Sequence, residues 1–551
     1  MASQEGLPDV RKVVVGVDFG TTRGAVAYVV QEPGQSPDDL RSSDVVTIIP
    51  YPHMRALRQD SGHLAMMTFY NPNPDPWDPD QPEWGYKVQN RLAHAPITIH
   101  KAADSRLIMR SKLLLDESPE TAHIRDELFE KMEELLEQGL ISQPEDIILD
   151  LLRPWMAEVK KYLCDKYDVV REQDTVEFSI CVPSQWSVSS LHKLVLAIER
   201  AIRDAWPRFA SPQQPIDIFT VREPEAGVNA ALEHVLEKKG SRFQPGDTVM
   251  IVDAGGCTIE MTTYMIDHIH PFRFHEVTQT GTAVCGSDML NMSFKDHLLH
   301  RVRTETYFNK DSTSAATLIE SLSLPQFEFL TKRELDFEIP DGWVERYYIP
   351  GLKDSKAKGF SEQQVHVSST ELTDLMDPIY NIVYLTLTNQ YIQAYEASLE
   401  IGTVVMVGGF SSSKMLQGCI QKWLKDGGTG SELMTPLPGH DSGQDVARGA
   451  VLRALNKSHG PSRFVRSSIG LLLHVQNTVK DLLKEEGMEE LFKLQRLAKR
   501  GEDNVPYFYD CIHWVRRWNP ASASVSRLGT HSRIRTTGGW QKRSSITRRA
   551  V

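Results

Sequence analysis

The chain has 551 residues, of which 40% are hydrophobic and 24% are charged, and its formal net charge is −12. That length provides for roughly three or four domains, and the composition is ordinary for a globular protein. No uninterrupted apolar stretch approaches the ~18–20 residues of a membrane-spanning helix, and the first residues lack the basic and apolar regions of a secretion signal. We therefore expect a cytoplasmic protein with no membrane partner.

Positive charge is concentrated in the last residues of the sequence. Residues 520–551 contain seven Arg and Lys and no acid, so the rest of the chain carries a net charge of −19. An acidic body repels polyanions, which argues against nucleic acid as a partner. The six cysteines lie far apart and form no CxxC pair. This is typical of reduced thiols and argues against a disulfide framework or a zinc site.

Two segments with a shared pattern dominate the chain. Residues 13–22 read VVVGVDFGTT and residues 249–258 read VMIVDAGGCT. Each begins as an apolar, β-branched run typical of a buried strand and continues into an aspartate, glycine and threonine. Backbone N–H groups and hydroxyls in such turns can contact phosphate oxygens because glycine has no Cβ, and two facing carboxylates can hold hydrated Mg²⁺. The pair predicts a nucleotide bound between two similar lobes.

The other predicted elements alternate between strands and helices. In chain order they are a returning strand at 24–30, an exposed proline-rich loop at 71–84, helices at about 121–138 and 145–166, a strand at 176–182, a helix at 189–205, a strand at 216–221, a helix at 228–239, a polar stretch at about 303–360, a helix at about 370–398, a strand at 403–407 and a helix from 445 to about 456. Two similar halves of this kind indicate α/β lobes with an internal duplication. Beyond 457 we expect one helix at 476–499 and then a disordered tail.

Five short motifs follow one another along this framework. They are DFGTT at 18–22, VPSQW at 182–186, REPEAG at 222–227, DAGGCT at 253–258 and VGGFSSS at 407–413. In this order and spacing they resemble the actin-like ATPase superfamily, and specifically the nucleotide-binding domain of the heat shock protein 70 family, in its divergent branch related to family 12. The resemblance covers roughly residues 11–457 and is strongest at the phosphate motifs.

The resemblance implies a two-lobed, actin-like α/β ATPase built from duplicated ribonuclease-H-like lobes. Lobe I would span residues 11–225, and lobe II would span residues 226–457, with its last helix returning to lobe I. A short, poorly defined C-terminal region at 458–519 and a basic, disordered tail at 520–551 would follow. The large insertions between the motifs favour a monomer.

The resemblance also implies ligands and the residues that bind them. ATP or ADP would bind with Mg²⁺, which Asp18 and Asp253 would hold through its water shell. Glu223 would orient or polarise the attacking water, because in-line phosphoryl transfer relies on positioning and charge neutralisation. The phosphates would contact the two turns, and the adenosine would contact a basic pair and a glycine pair, through Gly20, Thr21, Thr22, Gly255, Gly256, Thr258, Lys332, Arg333, Gly408 and Gly409.

Several departures from the family pattern bear on catalysis. Cys257 stands at the third glycine of the second phosphate turn, and Glu260 replaces an aspartate. Ser412 stands where other members place an arginine against the adenine. The catalytic lysine of lobe I aligns with Ser105, which leaves Lys112 as the alternative lysine.

Three functions are compatible with these residues. The first is a chaperone-like protein that slowly hydrolyses ATP, whose further partners would be unfolded clients and co-chaperones. It would lack a complete peptide-binding domain, because too few residues follow 457. The second is a nucleotide-binding scaffold or sensor with impaired hydrolysis, which Cys257 and the displaced lysine favour. The third is a small-molecule kinase of the same superfamily, although no sugar-kinase signature is visible.

Overall fold

A computed structural model describes residues 10–49, 63–71, 82–94, 106–239, 243–269, 273–309, 315–435 and 442–457, together with short segments beyond 457. By its internal contacts the chain divides into two units, Met1–Lys457 and Ser458–Val551. Ser105, most of the proline-rich loop at 71–84, nearly all of the helix predicted at 476–499 and most of the tail at 520–551 lie outside the described residues.

The strands of the first unit form two large sheets and two small ones. In chain order they are β1 (Lys12–Phe19), β2 (Arg23–Gln31), β3 (Val46–Thr47), β4 (Leu64–Ala65), β5 (Met67–Phe69), β6 (Glu83–Trp84), β7 (Leu107–Met109), β8 (Thr175–Val182), β9 (Asp217–Arg222), β10 (Thr248–Ala254), β11 (Ile259–His268), β12 (Arg273–Glu276), β13 (Gly281–Ala283), β14 (Val344–Tyr348), β15 (Phe360–Ser361), β16 (Gln364–Ser368), β17 (Thr403–Val407) and β18 (Glu432–Met434). The fold is therefore mixed α/β, as the alternating pattern predicts.

The two large sheets have the same strand order. The first runs β3-β2-β1-β8-β9, with β4 also paired to β2, and the second runs β12-β11-β10-β17-β18, with β13 also paired to β11. The central strands β1 and β10 each pair antiparallel with the next large strand and parallel with a later one. The hairpin registers also match, because Asp18 pairs with Ala25 and Asp253 pairs with Glu260. The strands predicted at both aspartate turns are confirmed, and the two halves repeat one arrangement.

The helices cover these sheets. In chain order they are α1 (Tyr86–His94), α2 (Ala122–Glu137), α3 (Asp146–Lys160), α4 (Val188–Ala205), α5 (Glu223–Lys239), α6 (Ser287–Val302), α7 (Ser369–Glu396), α8 (Lys414–Asp426) and α9 (Asp445–Leu455). A π-helical turn, Lys161–Lys166, prolongs α3. Between α6 and α7 a helical segment alternates α and π turns through Ala315–Leu318, Ile319–Ser323, Leu324–Gln326, Phe327–Thr331 and Lys332–Glu334.

Two of the sequence predictions need correction. The helix predicted at 228–239 begins at Glu223, so the expected Glu-Pro turn is the first turn of α5. Pro224 is tolerated there because the first N–H groups of a helix have no intrahelical partner. The loop predicted as exposed at 71–84 ends in strand β6, where Glu83 and Trp84 are buried. The polar stretch at 303–360 contains elements for which there was no prediction, namely the helical segment at 315–334 and strand β14. The remaining predicted helices of the first unit agree closely with the structure.

Each large sheet has its own hydrophobic core. The first core joins β1 and β8 to helices α2, α3 and α4, and the second joins β10, β11 and β17 to α6, α7 and α8. The inner strands β1, β10 and β17 are almost entirely buried, which explains why they are nearly continuous apolar runs.

Helices α5 and α9 each leave one half of the unit and pack on the sheet of the other half. α5 follows β9 of the first sheet but packs Val228 and Leu232 against the second sheet. α9 follows the second half but packs Ala447 and Val451 against the first sheet. Residues 225 and 226, the predicted lobe boundary, both lie inside α5.

The crossing of α5 and α9 depends on a glycine. A Cβ at Gly449 would lie 1.7 Å from the carbonyl oxygen of Ala226, so no larger residue fits without separating the helices. Close to this contact, Arg453 Nε lies 2.7 Å from Glu225 Oε1, and both side chains are buried. Removing either partner of such a buried ion pair is strongly destabilising, because the remaining charge is left buried and unpaired. The contact and the ion pair fix how the two helices cross.

The described residues of the second unit form three pairs of very short strands. They are β19 (Gly470–Leu471) with β22 (Asp510–Cys511), β20 (Lys499–Arg500) with β21 (Pro506–Tyr507), and β23 (Ile534–Thr536) with β24 (Gly539–Gln541). The last pair lies within the tail at 520–551. Across the described parts of both units, no helix combines the length and the apolar character needed to cross a membrane.

The helix crossing predicts the effect of adding one methyl group. Gly449→Ala lowers the free energy of unfolding by about 1–3 kcal/mol, because overpacking exceeds the ~1 kcal/mol by which alanine favours a helix. The urea midpoint of the full chain measures this effect. Gly402→Ala is the control, since its Cβ would meet no described atom closer than the carbonyl oxygen of Thr248 at 3.8 Å. Equal midpoints for Gly449→Ala and the wild type would contradict the crossing geometry.

Candidate functional site

The two aspartate turns lie in one cleft between the halves of the first unit. The empty space of the cleft is about 880 Å³, a volume that includes the open solvent at its mouth. All of the predicted site residues line it, namely Asp18, Gly20, Thr21, Thr22, Lys112, Glu223, Asp253, Gly255, Gly256, Thr258, Lys332, Arg333, Gly408 and Gly409. Residues that are far apart in the sequence are therefore brought together, as expected for a site beyond the carboxyl ends of parallel strands.

The two turns touch each other. A Cβ at Gly256 would lie 2.4 Å from Thr22 Oγ1, so the second turn accepts only glycine at this position. The N–H of Gly255 donates to the carbonyl oxygen of Thr258 at 2.9 Å. The carbonyl oxygens of Gly255 and Gly256 accept N–H groups from the start of α6, at 3.1 and 2.7 Å. The backbone of the second turn is therefore held rigidly.

Acidic side chains accumulate in the cleft. Burial, reinforced by the charge of Glu223 and opposed by Lys112, raises the pKa of Asp18 to about 7. Burial also raises the pKa of Asp253 well above its ordinary value, with repulsion from Glu223, Glu260 and Asp18 adding to the shift. The two carboxyl groups therefore resist ionisation unless positive charge arrives.

Lys112 is a cation that opposes both of these pKa shifts. It lies in the 3₁₀ turn Ser111–Leu115, and its Nζ donates to Glu223 Oε1 at 2.7 Å. Burial disfavours the charged ammonium, but Glu223 and Asp18 outweigh it and raise the pKa of Lys112. Lys112 Nζ also lies 5.5 Å from the ring centroid of Trp186, which belongs to the VPSQW motif. The alternative lysine therefore stands at the acidic centre of the cleft.

Lys332 is buried in the wall of the cleft. Its Nζ donates to the carbonyl oxygen of Ser287 at 3.1 Å and to Asn291 Oδ1 at 3.0 Å, and it pairs with Glu328. Burial lowers the pKa of Lys332 against the attraction of Glu328. Arg23 Nη2 lies 3.4 Å from Glu328 Oε1, so a residue beside the first turn reaches across to this network. Lys332 is therefore part of the wall and not a solvated surface lysine.

The turn after β17 closes one side of the cleft. Gly408 has a φ of +83°, and a Cβ there would lie 2.6 Å from Asp253 Oδ1. Both the left-handed backbone and the lack of space favour glycine at this position. Ser413 Oγ donates to the carbonyl oxygen of Lys332 at 2.8 Å, which joins this turn to the Lys332 network. Ser412, which also lines the cleft, donates to the carbonyl oxygen of Gly409 at 2.9 Å.

Cys257 is accommodated by the core. Its side chain is buried among the apolar residues of the first hydrophobic core. Burial, followed by repulsion from Asp288, raises the pKa of its thiol to about 11, against the opposing charge of Arg110. The thiol therefore stays protonated and uncharged at neutral pH. It adds no negative charge to the turn.

Several lining residues were missed by sequence reasoning. Arg23 directly follows the first turn, and Glu328 stands one helical turn before Lys332, so their positions carry a usable signal. His63 and Gly443 carry none, because each reaches the cleft from a separate segment. They are packed together, since a Cβ at Gly443 would lie 2.1 Å from His63 Cε1.

A magnesium ion that is held through its own water molecules fits the chemistry of the site. Within the described ranges, no group of three or more His, Cys, Asp and Glu side chains is placed to hold a metal ion directly. Mg²⁺ commonly keeps several waters and uses one or two carboxylates plus phosphate oxygens. Asp18 and Asp253 supply such carboxylates. Bound positive charge would offset the burial and the neighbouring acids that raise their pKa values.

No protein-family model matches the chain, and no curated protein matches it. The functional interpretation therefore depends on the residues of the cleft and their geometry.

Because the pKa of Asp18 is raised, replacing its carboxyl group with an uncharged amide should increase the free energy of unfolding by an amount that depends on pH. Asp18 binds its proton more tightly in the folded chain, so ionising it increasingly favours unfolding from about pH 4 to about pH 7. Asp18→Asn removes this effect. It should raise the stability of the ligand-free protein more at pH 8 than at pH 5, by roughly 2 kcal/mol. Urea unfolding at both pH values measures the difference.

The matched control for this experiment is Asp374→Asn, an exposed residue on α7. It should change stability equally little at both pH values. A gain from Asp18→Asn that does not differ between pH 5 and pH 8 would show that Asp18 ionises normally in the folded protein.

Proposed function

We propose that this chain binds ATP with Mg²⁺ and slowly hydrolyses it to ADP and phosphate, like the nucleotide-binding domain of heat shock protein 70 chaperones. One observation carries the proposal: four of the five motifs line a single cleft, and the fifth contributes Trp186 against Lys112. Random matches to short motifs have no reason to converge in space. The cleft thus combines the two glycine turns with the carboxylates of Asp18, Asp253 and Glu223, and Lys112 lies beside them. These are the residue types that phosphoryl transfer requires.

We also propose the two-lobed, actin-like arrangement of ribonuclease-H-like lobes. Support comes from the identical strand orders of the two large sheets. Further support comes from α5 and α9, each of which packs on the sheet of the opposite half. In this arrangement the nucleotide would lie between the halves, and contacts to both turns would favour a closed state.

The two turns and the carboxylates have separate roles in the proposed binding site. Thr21, Thr22 and Thr258 would donate hydroxyl hydrogen bonds to phosphate oxygens, with backbone N–H groups beside them. Asp18 and Asp253 would hold Mg²⁺ through its waters. When bound, the ion would neutralise charge on the phosphates and on the leaving group. Its positive charge would also lower the pKa values of both aspartates.

Glu223 and Lys112 would act on the attacking water and the transferred phosphoryl group. Glu223 would accept a hydrogen bond from the water, and the Lys112 ammonium would stabilise charge on the phosphoryl oxygens. Glu223 Oε1 already accepts from Lys112 at 2.7 Å, which leaves Oε2 for the water.

A second candidate is a nucleotide sensor with impaired hydrolysis. Cys257 favours it, because a side chain stands in the second turn where the resemblance implies glycine. The burial of that side chain in the core weakens this argument.

The proposed chaperone-like ATPase would have unfolded clients and co-chaperones as partners, and it would lie in the reducing environment of the cytoplasm. The free thiols Cys164, Cys181, Cys257, Cys285 and Cys419 support the reducing location.

Binding and single-turnover hydrolysis of ATP test the proposed roles. Asp253→Asn should weaken Mg²⁺-dependent ATP binding at least about tenfold, through loss of a charged ligand to the water shell. Glu223→Gln should keep the affinity and slow the single-turnover rate by roughly 10²-fold or more, because it removes the water-positioning carboxylate. Glu396→Gln, an exposed residue on α7, is the control.

The outcomes separate the two candidates. Wild-type protein that binds no nucleotide at millimolar MgATP would refute both. Wild-type protein that binds ATP but does not turn it over would leave the sensor. Hydrolysis that is unchanged in Glu223→Gln would remove Glu223 from the mechanism.

Cys257→Gly tests whether the side chain in the second turn limits hydrolysis. We expect the single-turnover rate to change less than about threefold, because Cys257, although it lines the cleft, packs its side chain among residues of the first core. We also expect a loss of about 1–2 kcal/mol in unfolding free energy, because a small buried side chain is removed and a cavity remains. A large increase in rate would instead show that Cys257 impairs catalysis, as the sensor interpretation requires.

A further inference from the structure

Helix α7 exposes a face that carries no charge. α7 has 28 residues, and residues 378–395 contain no Asp, Glu, Lys or Arg, although 24% of the chain is charged. At an average charged share a stretch of that length would hold about four such residues. The exposed fractions of its large apolar side chains are high: 37% for Ile382, 66% for Leu385, 49% for Ile392 and 83% for Tyr395.

The opposite face of α7 is firmly attached. Leu372, Val383 and Leu387 are buried in the second core. Gln390, also on this face, accepts from Thr278 Oγ1 at 2.6 Å and donates to the carbonyl oxygen of Gln279 at 2.7 Å. Rotating the helix to bury the outer side chains would break these buried hydrogen bonds, and leaving them unmade is unfavourable. The apolar face is therefore a fixed property of the fold.

The exposed residues have the spacing of a helix-pairing seam. Ile382, Leu385, Asn389 and Ile392 follow one another at intervals of three, four and three residues, as the a and d positions of a coiled coil do. A polar Asn at one such position commonly fixes the register of paired helices. Scattered exposed apolar residues need no explanation, but a seam of this kind indicates a partner helix.

We propose that this seam, with Tyr395 beside it, pairs with the same seam of a second copy of the chain in an antiparallel two-fold dimer. A two-fold axis near Asn389 would place Leu385 opposite Ile392 of the second copy, and Ile382 opposite Tyr395. The face is thus complementary to itself, as an isologous interface requires. Identical acidic bodies repel each other, so an uncharged face is where two copies can meet. This replaces the expectation of a monomer.

The size of the face sets the strength of the dimer. One helix from each copy covers less area than most stable interfaces, which bury about 1,200–2,000 Å². The dimer is therefore weak and depends on concentration. At each end of the pairing, Asp377 of one copy would lie about one helical turn from Glu396 of the other. Salt screens such repulsion between exposed charges. Added salt should consequently strengthen the association.

Sedimentation of the full-length chain at increasing concentration tests the proposal. Wild-type protein should dimerise, and more readily at higher salt. Leu385→Asp should weaken the association more than about tenfold, while the matched control Leu196→Asp, 46% exposed on α4, should not. Asn389→Lys is the second variant, because it puts two ammonium groups near the axis without removing an apolar side chain. Circular dichroism verifies that each variant is folded.

Cross-linking tests the antiparallel geometry. Asn389→Cys should give a disulfide-linked dimer under mild oxidation by oxidised glutathione. Thr373→Cys, exposed on the same helix but far from the proposed axis, should not. A monomeric wild type throughout, a dimer that survives Leu385→Asp, or cross-linking through residue 373 and not residue 389 would each overturn the proposal. None of the five described face residues lines the cleft, so failure here leaves the proposed ATPase function intact.

Discussion

The crossing of α5 with α9 is the contact on which the geometry of the cleft depends. α5 begins at Glu223 and reaches the crossing three residues later, where the carbonyl oxygen of Ala226 meets Gly449. The buried Glu225–Arg453 pair limits rotation of α5 about its own axis. Because each helix packs on the opposite sheet, the crossing also fixes how Asp18 and Asp253 are placed relative to Glu223. The position of the acidic centre is thus set by packing outside the cleft.

That acidic centre makes the ligand-free protein less stable than its core would allow. Asp18, Asp253 and Glu223 stand around one lysine, and burial raises the pKa values of both aspartates. Hydrophobic residues of the same size would favour folding more. A cationic ligand that binds only the folded chain would recover the lost stability by mass action. The arrangement therefore favours the folded protein most when positive charge is bound, which is the balance expected of a binding site.

Local chemistry determined which features the sequence could predict. Both hairpins follow from β-branched runs that end in glycine turns. Most of the predicted cleft residues lie in the five motifs, and the resemblance supplied Lys112, Lys332 and Arg333. The start of α5 was misplaced because Pro224 is typical of turns as well as of first helical turns. Arg23 and Glu328 each stand near a predicted site residue, but their contact joins distant segments, so no local pattern encodes the pairing. For His63 and Gly443 neither the positions nor the contact has a local signal. The uncharged stretch of α7 is visible in the sequence, but only packing shows which face is exposed.

The exposed face of α7 and the cleft are joined through a single layer of sheet. α7 packs on β11, and β11 pairs with β10, which carries Asp253. Gln390 and the core residues hold α7 to this sheet without freedom to rotate. Pairing of two α7 helices would therefore fix the orientation of two clefts relative to each other while leaving the residues inside each cleft untouched. Under both proposals, assembly and nucleotide binding could vary independently, because the proposed contacts would lie on different faces of the same half.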